Sequence, residues 1–539
     1  GRRTARQMID LPRHPLYNLI ERPQARNAAE KEATTDNDED GLKSQERVVE
    51  VHGTSAYYGR DRLLQTLRQY EYWDDLIEAC RSGYIEPTTT PAEQGKVHLN
   101  LAVAYYCRGQ AGDLAEGDKE LAAIRKLRDG QVSALQTAVD DAASNRTERE
   151  RRRAVAAAEA RYLLGAAELS RSLAELESYQ RIVEGFFLSR KMLFISLAVL
   201  FVGEVALFWF LRRRLVLAIL TVVVAIAAGG WLFERHLALW NLPYDSKNVE
   251  FAFMSRKQLE AGDPDVAEWC AREYAKNRER QVRPQANLVE ILYRIGKKDD
   301  ARAEFETLRE MAGTADLDSP PFARLVPIAR EFGFPTDWRR PEKINKALAG
   351  RRPLPSLGPL LWRPWPAPDW KLKDAEGRAH TLAEFNGKPL LMIFFLGQGC
   401  PHCIQQLEAF AKKAKQIEEA GLTVVAVSTD DEAGVKRSLA ASGKAKFPFL
   451  MVADAKLDAF QSYRAYDNFE QIALHGTFVI DAKGFVRWHD EGSEPFMDVG
   501  FVLGESKRLL RQPVAPVEPG ARVIVDTSGP LPVATAARH

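Results

Sequence analysis

The stretch LLMIFFLGQGCPHCIQQLEAFAKKAKQIEEAG, residues 390–421, decides the fold of the C-terminal region of this chain. Its first seven residues, Leu390 to Leu396, are all apolar, the pattern of a strand buried on both faces. Two cysteines follow, Cys400 and Cys403, with Pro401 and His402 between them. From Ile404 the period lengthens to that of a helix, which Gly421 closes. Working outward, LTVVAVS (Leu422 to Ser428) reads as the next buried strand, and Asp430 or Asp431 can cap a further helix. GTFVID (Gly476 to Asp481), the turn Ala482-Lys483-Gly484 and FVRWH (Phe485 to His489) read as a β-hairpin. A last helix runs from about Asp498 to Leu510. The order βαβα, then ββα, predicts a mixed α/β sandwich.

The placement of the cysteines carries the chemistry. Cys400 falls where a strand gives way to a helix, so backbone N–H groups and the helix dipole favour its thiolate. Cys403 lies one turn further on, close enough to close a disulfide. Pro401 suits a first helical turn. His402, when protonated, would further stabilise the Cys400 thiolate and make the disulfide more oxidising. A structural disulfide or half of a zinc site are the competing readings. A closed zinc site needs four ligands, and no second Cys/His pair lies nearby in sequence, so neither a metal nor a cofactor is expected. Cys80, Cys107 and Cys270 sit in apolar helical patterns and read as small buried hydrophobes. His380 and His489 read as surface residues. Five cysteines in 539 residues make no disulfide framework.

The length implies several domains. Lys+Arg (75) and Asp+Glu (74) nearly cancel, which removes the basic excess that a nucleic-acid partner requires. Residues 1–58 are polar, with the acidic run Asp36-Asn37-Asp38-Glu39-Asp40, and read as a poorly ordered leader. Residues 59–189 form a helical region, and Arg149 to Leu188 favours one long helix. Two apolar runs over 190–235, Met192 to Leu211 and Leu215 to Phe233, read as a transmembrane hairpin whose tip is Arg212-Arg213-Arg214. Under the positive-inside rule that tip faces the cytoplasm. The expected location is a bacterial inner membrane, with the C-terminal domain in the periplasm. Glu204 reads as a neutral acid facing the other helix. Within 245–335, Gly262 and Gly296 are 34 residues apart, with Ala267 and Ala301 following at the same offset. That is the period of tetratricopeptide helix pairs, and such a region would offer a surface to a protein partner, or serve as a spacer. Residues 336–366 are a proline-rich linker, 367–512 the α/β domain, and 513–539 a loose tail.

The segment APDWKLKDAEGRAHTLAEFNGKPLLMIFFLGQGCPHC (Ala367 to Cys403), together with HGTFVID (His475 to Asp481), resembles the AhpC/TSA (peroxiredoxin) and TlpA/ResA-type branch of the thioredoxin superfamily. The resemblance implies a thioredoxin-like fold and dithiol–disulfide exchange with thiols or disulfides of proteins or small molecules. Cys400 would be the nucleophile and Cys403 the resolving thiol. Cys-Pro-His-Cys is also the motif of DsbA-like oxidants. The resemblance has two departures. Gln398-Gly399 replace the tryptophan expected before the first cysteine, and His475 replaces the cis-proline expected to face the pair. That proline keeps metals off the thiols, so its loss opens the site to metal capture. In peroxiredoxins the peroxidatic cysteine aligns with Cys403, and a cationic residue often stands where His475 does. The site expected from sequence is therefore Cys400, Cys403, His402 and His475. The leading reading is a membrane-anchored thiol–disulfide oxidoreductase, the second a thiol peroxidase, and the third a membrane scaffold whose redox fold only binds.

Overall fold

The computed structural model describes residues 2–15, 18–20, 54–143, 147–184, 190–211, 214–241, 250–279, 281–313, 315–340, 361–362, 364–397, 399–441, 447–512 and 523–524. The chain divides into two compact units. One is Gly1–Arg2 with Arg60–Ala349, and the other is Arg3–Gly59 with Gly350–His539.

The first unit is helical. Pro91–Arg108, Asp113–Ala143 and Glu148–Glu184 pack on one another, the last being the long helix expected from its Ala/Glu/Arg/Leu content. Tyr106, Ile124, Leu173, Leu176 and Tyr179 fill the space between them. Beyond them lie two helical hairpins, Phe251–Glu260 with Pro264–Asn277, and Val282–Arg294 with Lys298–Met311. Gly262 and Gly296 end the first helix of each hairpin at φ +78° and +87°, a left-handed turn that a side chain would strain. Ala267, Ala301 and Phe305 are fully buried. Two hairpins do not by themselves establish a repeat family.

A buried ion network crosses this unit. The Glu71 carboxylate meets Arg324 at 2.9 Å, Arg256 at 3.2 Å and Arg283 at 3.4 Å. Arg283 also holds Glu250 at 2.5 Å, and Arg324 holds Glu290 at 3.1 Å. Burial alone would raise the Glu71 carboxyl, but the three guanidinium groups outweigh it and hold the group at about 2.

The transmembrane hairpin expected over 190–235 is corrected. Its two runs form the helices Arg190–Leu211 and Leu215–Asn241, which pack against each other. Among the described residues, however, no helix is long and apolar enough to cross a membrane. Arg190 and Lys191 open the first helix, and Glu204 interrupts its apolar run. Glu234 and Arg235 lie inside the second helix rather than beyond it. The uninterrupted apolar stretch is thus shorter than the helix carrying it. Phe194, Phe201 and Phe210 on the first helix are exposed. The membrane partner and the orientation rest on this hairpin, and its tip residues Arg212 and Arg213 lie outside the described residues.

The second unit is built on an eight-stranded mixed sheet. From edge to edge its strands are Trp365–Pro366, Phe485–Gly492, His475–Ile480, Leu390–Phe395, Thr423–Ser428, Leu450–Ala453, Lys371–Asp374 and Ala379–Thr381. Leu390–Phe395 runs parallel to Thr423–Ser428 and antiparallel to His475–Ile480, so it is central and buried on both faces. Its alternation sorts the core into two layers. Leu391, Ile393 and Phe395 pack with Cys403, Leu407 and Phe410 of the following helix. Leu390, Met392 and Phe394 pack on the other side with Trp370, Phe460 and Phe478. Each such side chain contributes about 1.5–3 kcal/mol through removal from water. The helix expected over 404–421 is two, Pro401–Lys412 and Ala414–Glu419. Asp431 caps the next one by accepting the Gly434 N–H at 2.7 Å, and Asp498 caps the last, Val499–Arg511.

Part of the N-terminal segment belongs to this unit. Most of the expected leader, 21–53, lies outside the described residues, but Arg2–Asp10 is a helix. The Trp488 indole N–H donates to the Arg13 carbonyl at 2.7 Å, and the Arg508 guanidinium donates to the Leu11 carbonyl at 2.8 Å. The Arg13 N–H donates to Glu505 at 2.8 Å, and His14 meets Asp490 at 2.9 Å. In the expected proline-rich linker, residues 341–360 lie outside the described residues. So does the expected tail, 513–539, apart from Val523–Ile524.

Candidate active site

The central strand ends at Phe395, and the chain turns through Gly397 at φ +79°. A Cβ there would come within 2.5 Å of the Asp430 carboxylate, so only glycine fits. Gln398 lies outside the described residues. Cys400 is the N-cap of Pro401–Lys412, in extended backbone, with Pro401 opening the helix. Its Sγ accepts the Cys403 backbone N–H at 3.2 Å. Both cysteines are free thiols. Cys400 is half-buried and Cys403 fully buried. The Cys403 Sγ accepts the Leu396 N–H at 3.3 Å. Burial, reinforced by the neighbouring Cys400, drives the Cys403 thiol far above the usual cysteine range. The strand-to-helix placement read from sequence is what the structure shows.

His475 heads a strand hydrogen-bonded to the central one, with Gly476 opposite Phe394. Gly476 has no room for a side chain, since a Cβ would lie 2.7 Å from the Phe478 ring. This close packing holds His475 against the cysteines. Its Nε2 is 3.2 Å from the Cys403 Sγ and 3.6 Å from the Cys400 Sγ. Burial pushes the imidazole below the ordinary histidine range and so favours its neutral form, although the Ser493 backbone and Glu494 oppose it. His402 is placed differently. It is exposed, and its Nδ1 faces Glu494 at 3.3 Å. The structure thus brings three of the four expected residues together and turns the fourth outward.

One neighbour escaped the sequence reading. Gln406 is fully buried one turn beyond Cys403, and its side-chain NH₂ donates to the Phe496 carbonyl at 3.0 Å and the Thr477 hydroxyl at 3.3 Å. It ties the cysteine helix to the strand that carries His475. The signal was a polar residue on the same helical face as Cys403, Leu407 and Phe410. Of the other cysteines, Cys270 is buried as expected while Cys80 and Cys107 are half-buried; burial pushes Cys80 and Cys270 up to about 12 and Cys107 higher still.

Residues 365–489 match the AhpC/TSA family. The C-terminal domain is a thioredoxin-like domain of that family. Over 158 residues the chain is 28% identical to a putative peroxiredoxin in the rubredoxin operon of Clostridium pasteurianum, covering 27% of this chain and 85% of that one. Over 139 residues it is 29% identical to chloroplastic peroxiredoxin Q of Oryza sativa subsp. japonica, covering 25% of this chain and 63% of the relative. The chain therefore spans less than two thirds of the length of that relative. Among solved structures, AhpC of Mycobacterium tuberculosis is similar, with 21% identity and a TM-score of 0.26, covering 28% of this chain and 95% of that one. The AhpC/TSA domain carries both cysteines and His475.

Proposed function

We propose that the chain is a thiol–disulfide oxidoreductase in which Cys400 attacks, Cys403 resolves and His475 moves the proton. The observation that carries this is the asymmetry of the pair. Cys400 is partly open to solvent at the helix N-terminus, with an N–H on its sulfur, whereas Cys403 is sealed beneath it. A thiolate at Cys400 attacks a substrate disulfide, forming a mixed disulfide and releasing one thiolate. Cys403 then gives its proton to the His475 Nε2, 3.2 Å away, and attacks the Cys400 sulfur. The Cys400–Cys403 disulfide forms, and the second substrate thiolate leaves.

The family match favours a second reading, a thiol peroxidase. There Cys403 would attack peroxide to give a sulfenic acid, and Cys400 would condense with it, releasing water. The buried, strongly raised Cys403 thiol weighs against that order of attack.

The test is to present the reduced full chain with glutathione disulfide or with hydrogen peroxide and read the adducts by mass spectrometry. Cys403→Ser is expected to accumulate a mixed disulfide on Cys400, and Cys400→Ser to form none. Rapid peroxide consumption that survives in Cys400→Ser but vanishes in Cys403→Ser would replace the first reading with the second.

A further inference from the structure

The geometry points to a metal site: Cys400, Cys403 and His475, in the reduced protein, hold one thiophilic d¹⁰ cation, zinc or copper(I), through two sulfurs and one imidazole nitrogen. The three donor atoms all lie within 4.8 Å of one another. A metal with bonds of about 2.3 Å to sulfur and about 2.0 Å to nitrogen sets its sulfur and nitrogen ligands roughly 3.5 Å apart. The observed sulfur–nitrogen separations, 3.2 and 3.6 Å, bracket that figure before any metal enters.

Hydrogen bonding alone accounts poorly for this convergence. A neutral imidazole nitrogen has one lone pair or one proton, so Nε2 can serve only one sulfur at a time. Two sulfurs nevertheless approach it. A cation at the centre engages all three donors together. Thiolate and imidazole donors select zinc and copper(I) over calcium or magnesium.

The surroundings fit a site of this kind. His475 is buried at the head of a strand, and Cys403 is fixed in the first helical turn, so two donors sit on rigid elements. Cys400, half-buried, gives the ion its entry and leaves one position open to water. The helix N-terminus offsets the negative charge of two thiolates. Binding displaces both thiol protons, one metal for two protons, and produces no change of oxidation state. Occupancy and disulfide formation are then mutually exclusive, because the same sulfurs cannot do both.

The test uses the full chain, reduced and anaerobic, titrated with zinc or copper(I) against a chromophoric competitor chelator. One equivalent is expected to bind the reduced chain and none the disulfide form. X-ray absorption on the loaded wild-type chain is expected to show two sulfur ligands and one imidazole nitrogen. A fourth, oxygen ligand would identify the zinc form, and three-coordination the copper(I) form. His475→Ala is expected to weaken binding by at least about 100-fold. Equal affinity in a folded His475→Ala chain, an absorption shell without nitrogen, or equal binding by the oxidised chain would each overturn the site. The absorption measurement needs no variant, so it decides the matter even where His475→Ala fails to fold. Disulfide exchange by the metal-free chain is scored separately. A chain that exchanges disulfides but binds no metal removes this inference alone.

Discussion

At the scale of single residues, His475 departs most from an ordinary thioredoxin-like site. Burial holds its folded-state pKa below the usual value, so the unfolded chain takes up a proton more readily than the folded one. The stability it contributes is therefore fully present above about pH 6.5 and is lost as pH falls through that value toward the folded pKa. Urea midpoints of the wild-type chain should decline between pH 7.5 and 5.5, and His475→Asn should flatten that decline. An unchanged slope would mean that other groups set it. The cysteine pair was legible from its neighbours alone, since strand, turn and helix are consecutive. The closeness of His475 came through resemblance, because nothing local in HGTFVID points to a sulfur 72 residues earlier. Gln406 stayed hidden because Thr477 and Phe496 reach it only through the tertiary fold. His402 was expected to tune Cys400, but an exposed side chain at the second helical position found a carboxylate instead.

At the scale of elements, period and capping were the dependable signals. Asp498 was read as the start of the last helix, and its carboxylate accepts the Phe501 N–H at 2.9 Å. Asp498→Ala should lower the stability of the thioredoxin-like unit by about 1 kcal/mol, measured by chemical denaturation, without changing the order of attack. A loss near zero would show that the helix is held by its buried face alone. The expected membrane hairpin shows where such signals stop. Apolar content marked the helices of 190–235 correctly, but helix formation and membrane crossing are separate properties. The second also requires an uninterrupted run, and Glu204 breaks one of the two.

For the whole molecule, the helical unit adds a buried charge network to its apolar clusters, whereas the thioredoxin-like unit rests on two apolar layers. Glu71 pairs with three arginines from three separate segments, which no sequence spacing announces. Glu71→Gln should destabilise that unit by about 3 kcal/mol, because it takes the carboxylate from Arg256 and leaves Arg283 and Arg324 with one acidic partner each. Since the carboxyl sits at about 2 in the fold, its contribution persists above the ordinary glutamate range and fades as pH falls from about 4.5 toward 2. Thermal unfolding of Glu71→Gln at pH 7 reads the first effect, and an acid titration of the wild type reads the second. The docking of residues 9–14 on the thioredoxin-like unit carries a different implication, one of timing. Trp488 and Arg508 find carbonyl partners 475 to 499 residues earlier in the chain. A growing polypeptide emerges from the ribosome in sequence order, so residues 9–13 must wait for Trp488 and Arg508 before these contacts can form. That docking therefore comes late in folding and closes a loop of 475 to 499 residues of chain.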